Sequence, residues 1–176
     1  MRFRSLAIAG LHLVEMEWRN DERGGFTRAF CAREFSGQGI AFDAVQANIS
    51  RNRDAGTGRG MHYQDLRAPE AKMVRCVASQ IFDVVLDLRK GSPTFGRWEG
   101  IELPAAAGNA LYVPAGVAHG FQALVSNCDV HYTMGAFYQA EMQRGVRWND
   151  PAFAIRWPLE VTAISERDAA FADYAS

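Results

Sequence analysis

The sequence has 176 residues, of which 48% are hydrophobic and 22% are charged, and its formal net charge is −1. This length is enough for one hydrophobic core, so we predict a single domain spanning residues 1–176. A nearly neutral chain has no overall attraction for nucleic acid or for an anionic membrane. An anionic ligand would therefore have to be bound by locally placed arginine and lysine side chains.

The first segment, MRFRSLAIAGLHLVEMEW, begins with two arginines and an apolar run, which are also features of a signal peptide. Glu15 and Glu17 follow without a small-residue cleavage site, so we interpret the segment as an opening β-strand. No apolar run reaches the 18 or more residues of a membrane helix, and no membrane association is expected. The three widely spaced cysteines match no disulfide framework, and reduced thiols favour the cytoplasm as the location.

Short apolar runs separated by turn residues follow along the chain, a pattern typical of a β-sandwich or barrel. Two of these runs, 72–78 and 81–88, flank Ser79-Gln80, which predicts a tight hairpin. Within the second run, alternate residues from position 82 to position 88 are apolar and should share one face of the strand. The other predicted strands are, in chain order, 11–14, 42–48, 98–103, 110–113, 120–124 and 130–138.

Helical patterning is confined to residues 165–174 and to a short turn at 29–35. Ser165 and Asp168 occupy the first and last positions of a capping box, so we expect the last helix to begin there. These elements predict an all-β fold with closed or double-sheet packing and one short C-terminal helix.

The four histidines are few enough to consider one by one. His62 lies in RGMHYQ and His119 in PAGVAHGF. His12 lies in an early predicted strand and is interpreted as a structural or surface residue, and His131 neighbours Tyr132 on a predicted strand. The Pro-x-Gly-x-x-His turn also occurs in metal-binding cupins, but the residue two positions after His62 is Gln64. Two histidines and a glutamine are a poor ligand set for zinc or iron, so neither a metal nor another cofactor is expected.

Nine short segments occur in order along the chain: DERG, VQAN, RGMHYQ, AKMVRCV, GSPTFGRW, VPAGVAHGF, RWNDP, IRWPL and ISERD. Together, over about residues 8–170, they resemble the dTDP-4-dehydrorhamnose 3,5-epimerases. The resemblance implies a cupin-type double-stranded β-helix, or jelly-roll barrel. It also implies an enzyme that inverts C3 and C5 of a nucleotide-linked 4-keto-6-deoxyhexose, with a dTDP-linked sugar as the preferred substrate.

The resemblance makes His62 the catalytic base, Asp168 the carboxylate that orients it, and Tyr132 the acid on the other face of the sugar ring. A neutral histidine titrates near pH 6.5, which suits a general base. Lys72, assisted by His119, would stabilise the developing enolate oxygen. Each residue also has a structural interpretation: a helix cap for Asp168, a barrel-lining aromatic for Tyr132, a surface cation for Lys72 and a hydrogen-bonded structural histidine for His62.

The remaining positions implied by the resemblance would bind the nucleotide. Arginine suits a diphosphate because its planar fork donates two parallel hydrogen bonds. These positions are Arg23, Arg59 and Arg167 for substrate contact, Gln46 and Asn48 near the nucleotide, Tyr138 for stacking on the base, and Gln143. Strand parity would place Tyr132 and Tyr138 on one face if the strand 130–138 is unbroken. The resemblance further implies a homodimer with an exchanged N-terminal strand, in which Arg23 comes from the neighbouring subunit.

Five positions depart from the family pattern: Arg28 and Gln143 stand where glutamate occurs, Ile49 replaces a histidine, and Thr133 and Arg167 replace lysines. None of them is His62, Tyr132 or Asp168, so the proton chemistry is better supported than the identity of the nucleotide. Three alternatives therefore stay open. They are a C3-only or C5-only epimerase acting on a different nucleotide sugar, a non-catalytic sugar-nucleotide-binding cupin, and a cupin ketoisomerase.

Overall fold

The computed structural model describes residues 1–174. In chain order, the strands of this part of the chain are β1 (Arg2–Ser5), β2 (His12–Glu15), β3 (Arg19–Asp21), β4 (Gly24–Phe26), β5 (Gln46–Asn52), β6 (Gly58–Gln64), β7 (Lys72–Ala78), β8 (Gln80–Asp87), β9 (Trp98–Pro104), β10 (Ala110–Val113), β11 (Val117–Ala123), β12 (Cys128–Met134) and β13 (Gln143–Gly145). Two short α-helices accompany them, α1 (Ala32–Gly37) and α2 (Glu166–Ala169).

The strands form two large antiparallel sheets that enclose a common core. The first has six strands in the order β1-β2-β10-β7-β12-β5, and the second has five in the order β13-β6-β11-β8-β9. Strands β3 and β4 pair only with each other, as a separate hairpin. The predicted all-β, cupin-type fold with a short C-terminal helix is therefore confirmed.

The main core lies between the two sheets. Val74, Leu111 and Val130 contribute to it from the six-stranded sheet, and Val85 and Phe121 from the five-stranded sheet. All five are fully buried, and burial of one such side chain contributes about 1.5–3 kcal/mol. This double layer holds the strand ends in place at the cavity described below.

The outer face of each sheet is covered by a smaller cluster. Phe35 of α1 and Phe42 pack on the six-stranded sheet against Met73, which points away from the core that Val74 enters. On the five-stranded sheet, alternate residues of β8 (Phe82, Val84 and Leu86) and Leu88, which follows the strand, pack together with residues from the C-terminal region. The alternation predicted for positions 82–88 is confirmed.

The hairpin predicted at Ser79-Gln80 is wrong. β7 lies between β10 and β12 in the six-stranded sheet, whereas β8 lies between β11 and β9 in the five-stranded sheet. Ser79 has a positive φ of 68°, so the chain bends sharply there and crosses from one sheet to the other. The main-chain carbonyl of Ser79 accepts a hydrogen bond from Ala105 N–H at 2.9 Å, which secures the crossing.

Several predicted boundaries are also corrected. The N-terminal segment forms two strands, β1 and β2, rather than one, and they pair with each other. The run 42–48 enters a strand only at Gln46, because Phe42 is used to cover the outer face of the sheet. The strand predicted to reach residue 138 ends at Met134, and the helix predicted over 165–174 occupies only Glu166–Ala169. None of the helices within residues 1–174 is long and apolar enough to cross a membrane.

Candidate active site

A cavity of about 200 Å³ opens between the two sheets. It is lined by Asn48, Arg59, His62, Tyr63, Gln64, Glu70, Lys72, His119, Gly120, Phe121, Tyr132, Met134, Tyr138 and Gln143. Eight of the twelve candidate residues are in this lining, and three others, Asp168, Gln46 and Arg167, contact one of its members. Residues that are distant in the sequence therefore meet at one site.

His62 of β6 and Asp168 of α2 form a short contact at this cavity. His62 Nε2 lies 2.7 Å from Asp168 Oδ1, and the second carboxylate oxygen accepts a hydrogen bond from Gly60 N–H at 3.0 Å. Asp168 is buried, and burial by itself favours its neutral form. The hydrogen bonds from His62 and Gly60 outweigh burial and hold the pKa of Asp168 below its ordinary value.

The helix start and the histidine contact use different parts of Asp168. Ser165 is the N-cap of α2, and its hydroxyl accepts a hydrogen bond from Asp168 N–H at 3.1 Å. In a complete capping box the carboxylate would bond back to the N-cap residue. Here the carboxylate bonds to His62 and Gly60 instead, so half of the predicted box is formed. Both interpretations of Asp168 hold: the backbone starts the helix and the side chain contacts the histidine.

The hydrogen-bond partner of His62 determines which ring nitrogen is available. An ionised carboxylate can only accept hydrogen bonds, so His62 Nε2 must carry the proton shared with Asp168. Nδ1 then keeps its lone pair and can accept a proton. The ring is held further by Phe171, whose ring meets it nearly edge-on with centroids 5.8 Å apart. Gly145, opposite His62 in the β13–β6 pair, makes room for Phe171, because a Cβ at this position would overlap that ring.

Tyr132 reaches the cavity from the other sheet. It lies on β12 of the six-stranded sheet, whereas His62 and His119 lie on β6 and β11 of the five-stranded sheet. The rings of Tyr132 and His119 are 5.8 Å apart and nearly perpendicular. Burial raises the pKa of Tyr132 well above its ordinary value, so its hydroxyl stays protonated at neutral pH. A proton acceptor and a proton donor thus approach one cavity from facing sheets.

A buried carboxylate contacts His119. The histidine Nε2 is 2.9 and 3.0 Å from the two carboxylate oxygens of Asp83, and both side chains are almost fully buried. Burial raises the pKa of Asp83, while His119 and Lys72 act in the opposite direction. Sequence reasoning missed Asp83. The signal was an acidic residue within the apolar strand 81–88, on the face opposite Val84.

Lys72 is buried at the start of β7, so the interpretation of this residue as a surface cation is wrong. Its Nζ lies 3.1 Å from Glu70 Oε1, and only 8% and 5% of the two side chains are exposed. Glu70 was also missed. It lies two residues before Lys72, and in an extended segment that spacing places two side chains on the same side. The spacing alone was a usable signal.

Five of the remaining candidates form a polar network at the cavity mouth. Gln143 Oε1 accepts hydrogen bonds from Tyr138 Oη at 2.8 Å and from Arg167 Nη2 at 2.6 Å. Gln46 Nε2 donates to Asn48 Oδ1 at 3.2 Å, and Gln46 Oε1 accepts from the main-chain N–H of Tyr138 at 3.3 Å. This network holds an aromatic ring and several amide groups at the entrance.

The strand-parity argument for Tyr138 was wrong, although the tyrosine does lie at the cavity. β12 ends at Met134, so Tyr138 belongs to the following loop rather than to the strand that carries Tyr132. Gly135, its first residue, donates from N–H to the carbonyl of Ala71 at 2.8 Å, and the chain then turns. The loop, not strand periodicity, brings the second tyrosine to the cavity.

The arginines differ in their placement. Arg59 Nε donates to Asn52 Oδ1 at 2.7 Å, and the side chain lines the cavity with much of its surface exposed. Arg23 lies on the β3–β4 turn, pairs with Asp21 and has 84% of its side chain exposed, and it is absent from the cavity lining. Arg28 is paired with Glu34 at 2.7 Å. One chain therefore presents Arg59, but neither Arg23 nor Arg28, to its own cavity.

No group of three or more histidine, cysteine, aspartate or glutamate side chains in residues 1–174 has the arrangement needed to hold a metal ion. His12 and His131 lie on β2 and β12 and are not among the residues that line the cavity. The chemistry of the cavity is that of acids, bases and hydrogen-bond donors.

Comparison with known proteins gives a consistent result. The family model for dTDP-4-dehydrorhamnose 3,5-epimerase matches residues 5–176. A Sinorhizobium fredii protein named dTDP-4-dehydrorhamnose 3,5-epimerase is 41% identical over 169 residues, which cover 96% of this chain and 87% of that protein. A Streptomyces niveus protein named dTDP-4-dehydrorhamnose 3-epimerase is 38% identical, with coverage of 96% and 81%.

Solved structures agree in fold. The crystal structure of dTDP-4-dehydrorhamnose 3,5-epimerase from Bacillus anthracis, with TDP and PPi bound, has a TM-score of 0.95 to this chain at 35% sequence identity. The match covers 98% of this chain and 99% of that chain. Similarity in sequence and in fold thus extends over nearly the whole length.

Proposed function

This chain belongs to the dTDP-4-dehydrorhamnose 3,5-epimerase family and is an isomerase, and from that premise we propose that it inverts C3 and C5 of a dTDP-linked 4-keto-6-deoxyhexose by proton transfer between His62 and Tyr132. The observation that carries the proposal is the approach of these two side chains to one cavity from facing sheets. Inversion needs that arrangement, because the proton leaves one face of the sugar ring and returns to the other.

The proposed step begins at a carbon next to the 4-keto group. His62 Nδ1 removes the proton from that carbon, the C–H electron pair forms the C=C bond of an enolate, and the carbonyl electron pair moves to the oxygen. Asp168, accepting from Nε2, stabilises the imidazolium that forms and keeps the ring in the required tautomer. A positioned base of this kind contributes about 10²–10⁴-fold to the rate.

Tyr132 completes the step from the other face. Its hydroxyl proton moves to the same carbon while the enolate returns to the ketone. The tyrosinate then takes a proton from solvent, and the imidazolium releases one. Burial raises the pKa of Tyr132, so the residue carries the proton before the step.

Lys72 and His119 are the proposed stabilisers of the enolate oxygen. Both side chains are buried and both line the cavity. Hydrogen-bond donors aimed at developing charge are worth more in a site that excludes water than in solution. The negative charge that develops on the enolate oxygen would thus be stabilised by Lys72 and His119, which are in position before the proton leaves.

We propose that the network at the cavity mouth binds the nucleotide. Arg59 donates from Nε to Asn52 and from Nη2 to the Arg51 carbonyl, so its Nη1 side is the part offered to the diphosphate, and Tyr138 has an exposed ring on which a base can stack. Gln46 and Asn48 present amide groups beside that ring, and Gln143 is held by Arg167. A TDP-bound structure of a family member with nearly the same fold supports a thymidine nucleotide as the first to be tested.

Inversion at C3 alone is a second candidate, because the Streptomyces niveus relative is named a 3-epimerase at 38% identity. A non-catalytic binding protein is less well supported, since the proposed proton-transfer set of His62, Asp168 and Tyr132 is complete in this chain. A ketoisomerase would use the same cavity but would yield a 3-keto sugar. These alternatives differ in product, so one experiment distinguishes them.

The experiment is incubation of the purified protein in heavy water with several nucleotide-linked 4-keto-6-deoxyhexoses, followed by NMR. We expect deuterium at C3 and C5 and an inverted 4-keto product, with the dTDP-linked sugar turned over fastest. Deuterium exchange at C3 alone would identify a 3-epimerase, and a 3-keto product would identify a ketoisomerase. His62→Ala should nearly abolish exchange, and exchange that survived unchanged would eliminate histidine as the base.

We also propose a homodimer in which the N-terminal region reaches the neighbouring site. The β3–β4 hairpin pairs with neither large sheet, Arg23 is exposed on its turn, and Phe26 has 74% of its surface exposed. β5 is one of the two edge strands of the six-stranded sheet and carries Ile49, which is 67% exposed. An edge strand offers backbone groups with which a hairpin from a neighbouring subunit can pair. The chain would then act as one domain per subunit, and the cytoplasm stays the expected location.

Mixing two impaired variants tests the exchange. Arg23→Ala and His62→Ala should each be impaired alone. In a hybrid dimer, one site would combine an intact His62 with an intact Arg23 from the neighbour, so activity should return. Absence of recovery from a mixture that demonstrably forms hybrids would show that Arg23 does not serve the neighbouring site.

A further inference from the structure

Glu70 is a buried acidic residue that the proposed reaction does not yet use. It is 6% exposed, lines the same cavity as His62 and Tyr132, and lies in the segment just before β7. A carboxylate is costly to bury unless a partner compensates it. The partner is Lys72, whose Nζ is 3.1 Å from Glu70 Oε1, and within residues 1–174 this is the single ion pair that Lys72 forms.

The backbone between the two side chains is firmly held. Ala71, the intervening residue, accepts a hydrogen bond through its carbonyl from Gly135 N–H at 2.8 Å. A Cβ at Gly135 would lie 3.0 Å from that same carbonyl oxygen and 3.1 Å from the ring of Phe42, so Gly135 and Ala71 approach closely. Glu70 therefore lies next to a residue whose backbone is fixed to the neighbouring chain segment, which suits it as an anchor for its partner.

Lys72 needs such an anchor. A lysine side chain has a flexible four-carbon stem and a compact charge that can turn in several directions. Stabilisation of a developing oxyanion depends on the donor already being where the charge will appear. A displacement of about 1 Å in a catalytic group can cost about 10²-fold in rate.

We propose that Glu70 is a positioning residue, which holds the Lys72 ammonium at the cavity wall so that it faces the carbonyl oxygen of the substrate. The role is geometric: besides compensating the buried charge of Lys72, the carboxylate fixes where the ammonium lies, and that position is what the reaction needs. The inference rests on the proposed function, because it assigns Glu70 to the group that meets the enolate.

Two substitutions of Glu70 separate position from charge. Glu70→Gln keeps the length of the side chain and an acceptor oxygen but removes the charge. Glu70→Asp keeps the charge but withdraws the carboxylate by about 1.5 Å, the length of one C–C bond. That withdrawal stretches the contact with Lys72 beyond hydrogen-bonding distance.

The expected result is that kcat of Glu70→Gln stays within about threefold of the wild type, while kcat of Glu70→Asp falls about tenfold to a hundredfold. KM for the nucleotide sugar should change less than about threefold in both variants, because the nucleotide is bound elsewhere. The reverse order, with Asp active and Gln impaired, would show that charge compensation is what matters. That order, or equal behaviour of the two variants, overturns the proposal.

A double-variant cycle shows whether Glu70 acts through Lys72. In a Lys72→Met background, Glu70→Asp should cause no more than about a twofold further loss of kcat. A further tenfold loss would indicate a general structural role and overturn the proposal. Thermal unfolding accompanies each variant, and Glu70→Ala replaces Glu70→Asp in the cycle if the latter does not fold.

Failure of this inference is distinguishable from failure of the proposed function. If the wild type turns over no 4-keto sugar, or if His62→Ala exchanges normally, the proposed function is lost. If the wild type is active and His62→Ala is not, but the Glu70 variants show any pattern other than that expected, the role of Glu70 alone is lost.

Discussion

Asp168→Asn perturbs the proposed site with a change of very few atoms. The wild-type carboxylate accepts two hydrogen bonds, from His62 Nε2 at 2.7 Å and from Gly60 N–H at 3.0 Å. An asparagine side chain has one acceptor oxygen and one NH₂ donor in the same space. It can therefore satisfy only one of these two donors, and its NH₂ must face the other.

The first outcome harms the reaction and the second harms the stability of the folded state. If the amide oxygen faces Gly60, the NH₂ faces His62 Nε2, and the imidazole must move its proton to Nδ1 to accept it. Nδ1 is the proposed base, so the variant would hold His62 in an inactive tautomer. If the oxygen faces His62 instead, a buried Gly60 N–H meets another donor and loses its hydrogen bond, at a cost of about 1–3 kcal/mol.

The expected loss of kcat in Asp168→Asn follows from the loss of general-base catalysis by His62. General-base catalysis is worth about 10²–10⁴-fold, and replacing the aspartate of a His–Asp pair by asparagine in a serine protease lowers kcat about 10⁴-fold. We therefore expect kcat to fall about 10²–10⁴-fold, equivalent to about 3–5 kcal/mol of transition-state stabilisation.

The assay is the rate of deuterium uptake by the 4-keto sugar, together with kcat for net inversion. Ser165→Ala is the matched control, because it removes the helix cap at Asp168 N–H and leaves in place the hydrogen bonds of the carboxylate with His62 and Gly60. It should lower stability by about 1 kcal/mol and leave the exchange rate within about threefold of the wild type. Exchange by Asp168→Asn within tenfold of the wild type would refute the role assigned to this carboxylate.

Three further predictions concern the same site. Tyr132→Phe should retain exchange catalysed by His62 but lose net inversion by about 10²-fold or more, and equal loss of both by NMR would contradict a donor role. Gly145→Ala should push Phe171 off the His62 ring and lower kcat about tenfold with an unchanged fold by circular dichroism, whereas wild-type kcat would show that the ring contact is dispensable. The pKa of Asp168 is lowered from an ordinary value of 3.8, so its contribution to stability is present above that pH and is lost as the pH falls through the lower folded value. The stability gap between wild type and Asp168→Asn in urea unfolding should therefore narrow below about pH 4, and a gap that widened on acidification would contradict this sign.

The residues proposed for proton transfer could be named from the family resemblance, and His62, Lys72 and Asp168 lie within its short segments. His62, Tyr132 and Lys72 all line the cavity, and Asp168 contacts His62. Glu70 and Asp83 were not predicted, although both are buried beside these residues. A single acidic residue in an apolar stretch looks the same whether it pairs with a buried cation or faces solvent. For Asp83 the partner that decides between these possibilities, His119, comes from another strand, whereas for Glu70 the partner Lys72 is two residues away and only its burial could not be read from the sequence.

The fold shows a similar division. Alternation along β8 was predictable, since a strand with both faces buried repeats its pattern every two residues. The switch of sheets at Ser79 was not, because Ser79-Gln80 between two apolar runs is also typical of a hairpin. The local sequence predicts that the chain bends at Ser79. The strands already present in each sheet determine which of them the next strand, β8, pairs with.

By itself, the sequence determined the class of fold, the family and the residue types available for proton transfer, because these depend on periodicity and on short motifs within the chain. The tertiary structure decided which side chains share the cavity, that His62 and Tyr132 approach it from facing sheets, and that Asp168 bonds to His62 instead of completing its capping box. It also decided that Arg23 lies away from the cavity of its own chain. These are distances between segments up to about a hundred residues apart, and they are set by the packing of the two sheets rather than by any local preference of the backbone.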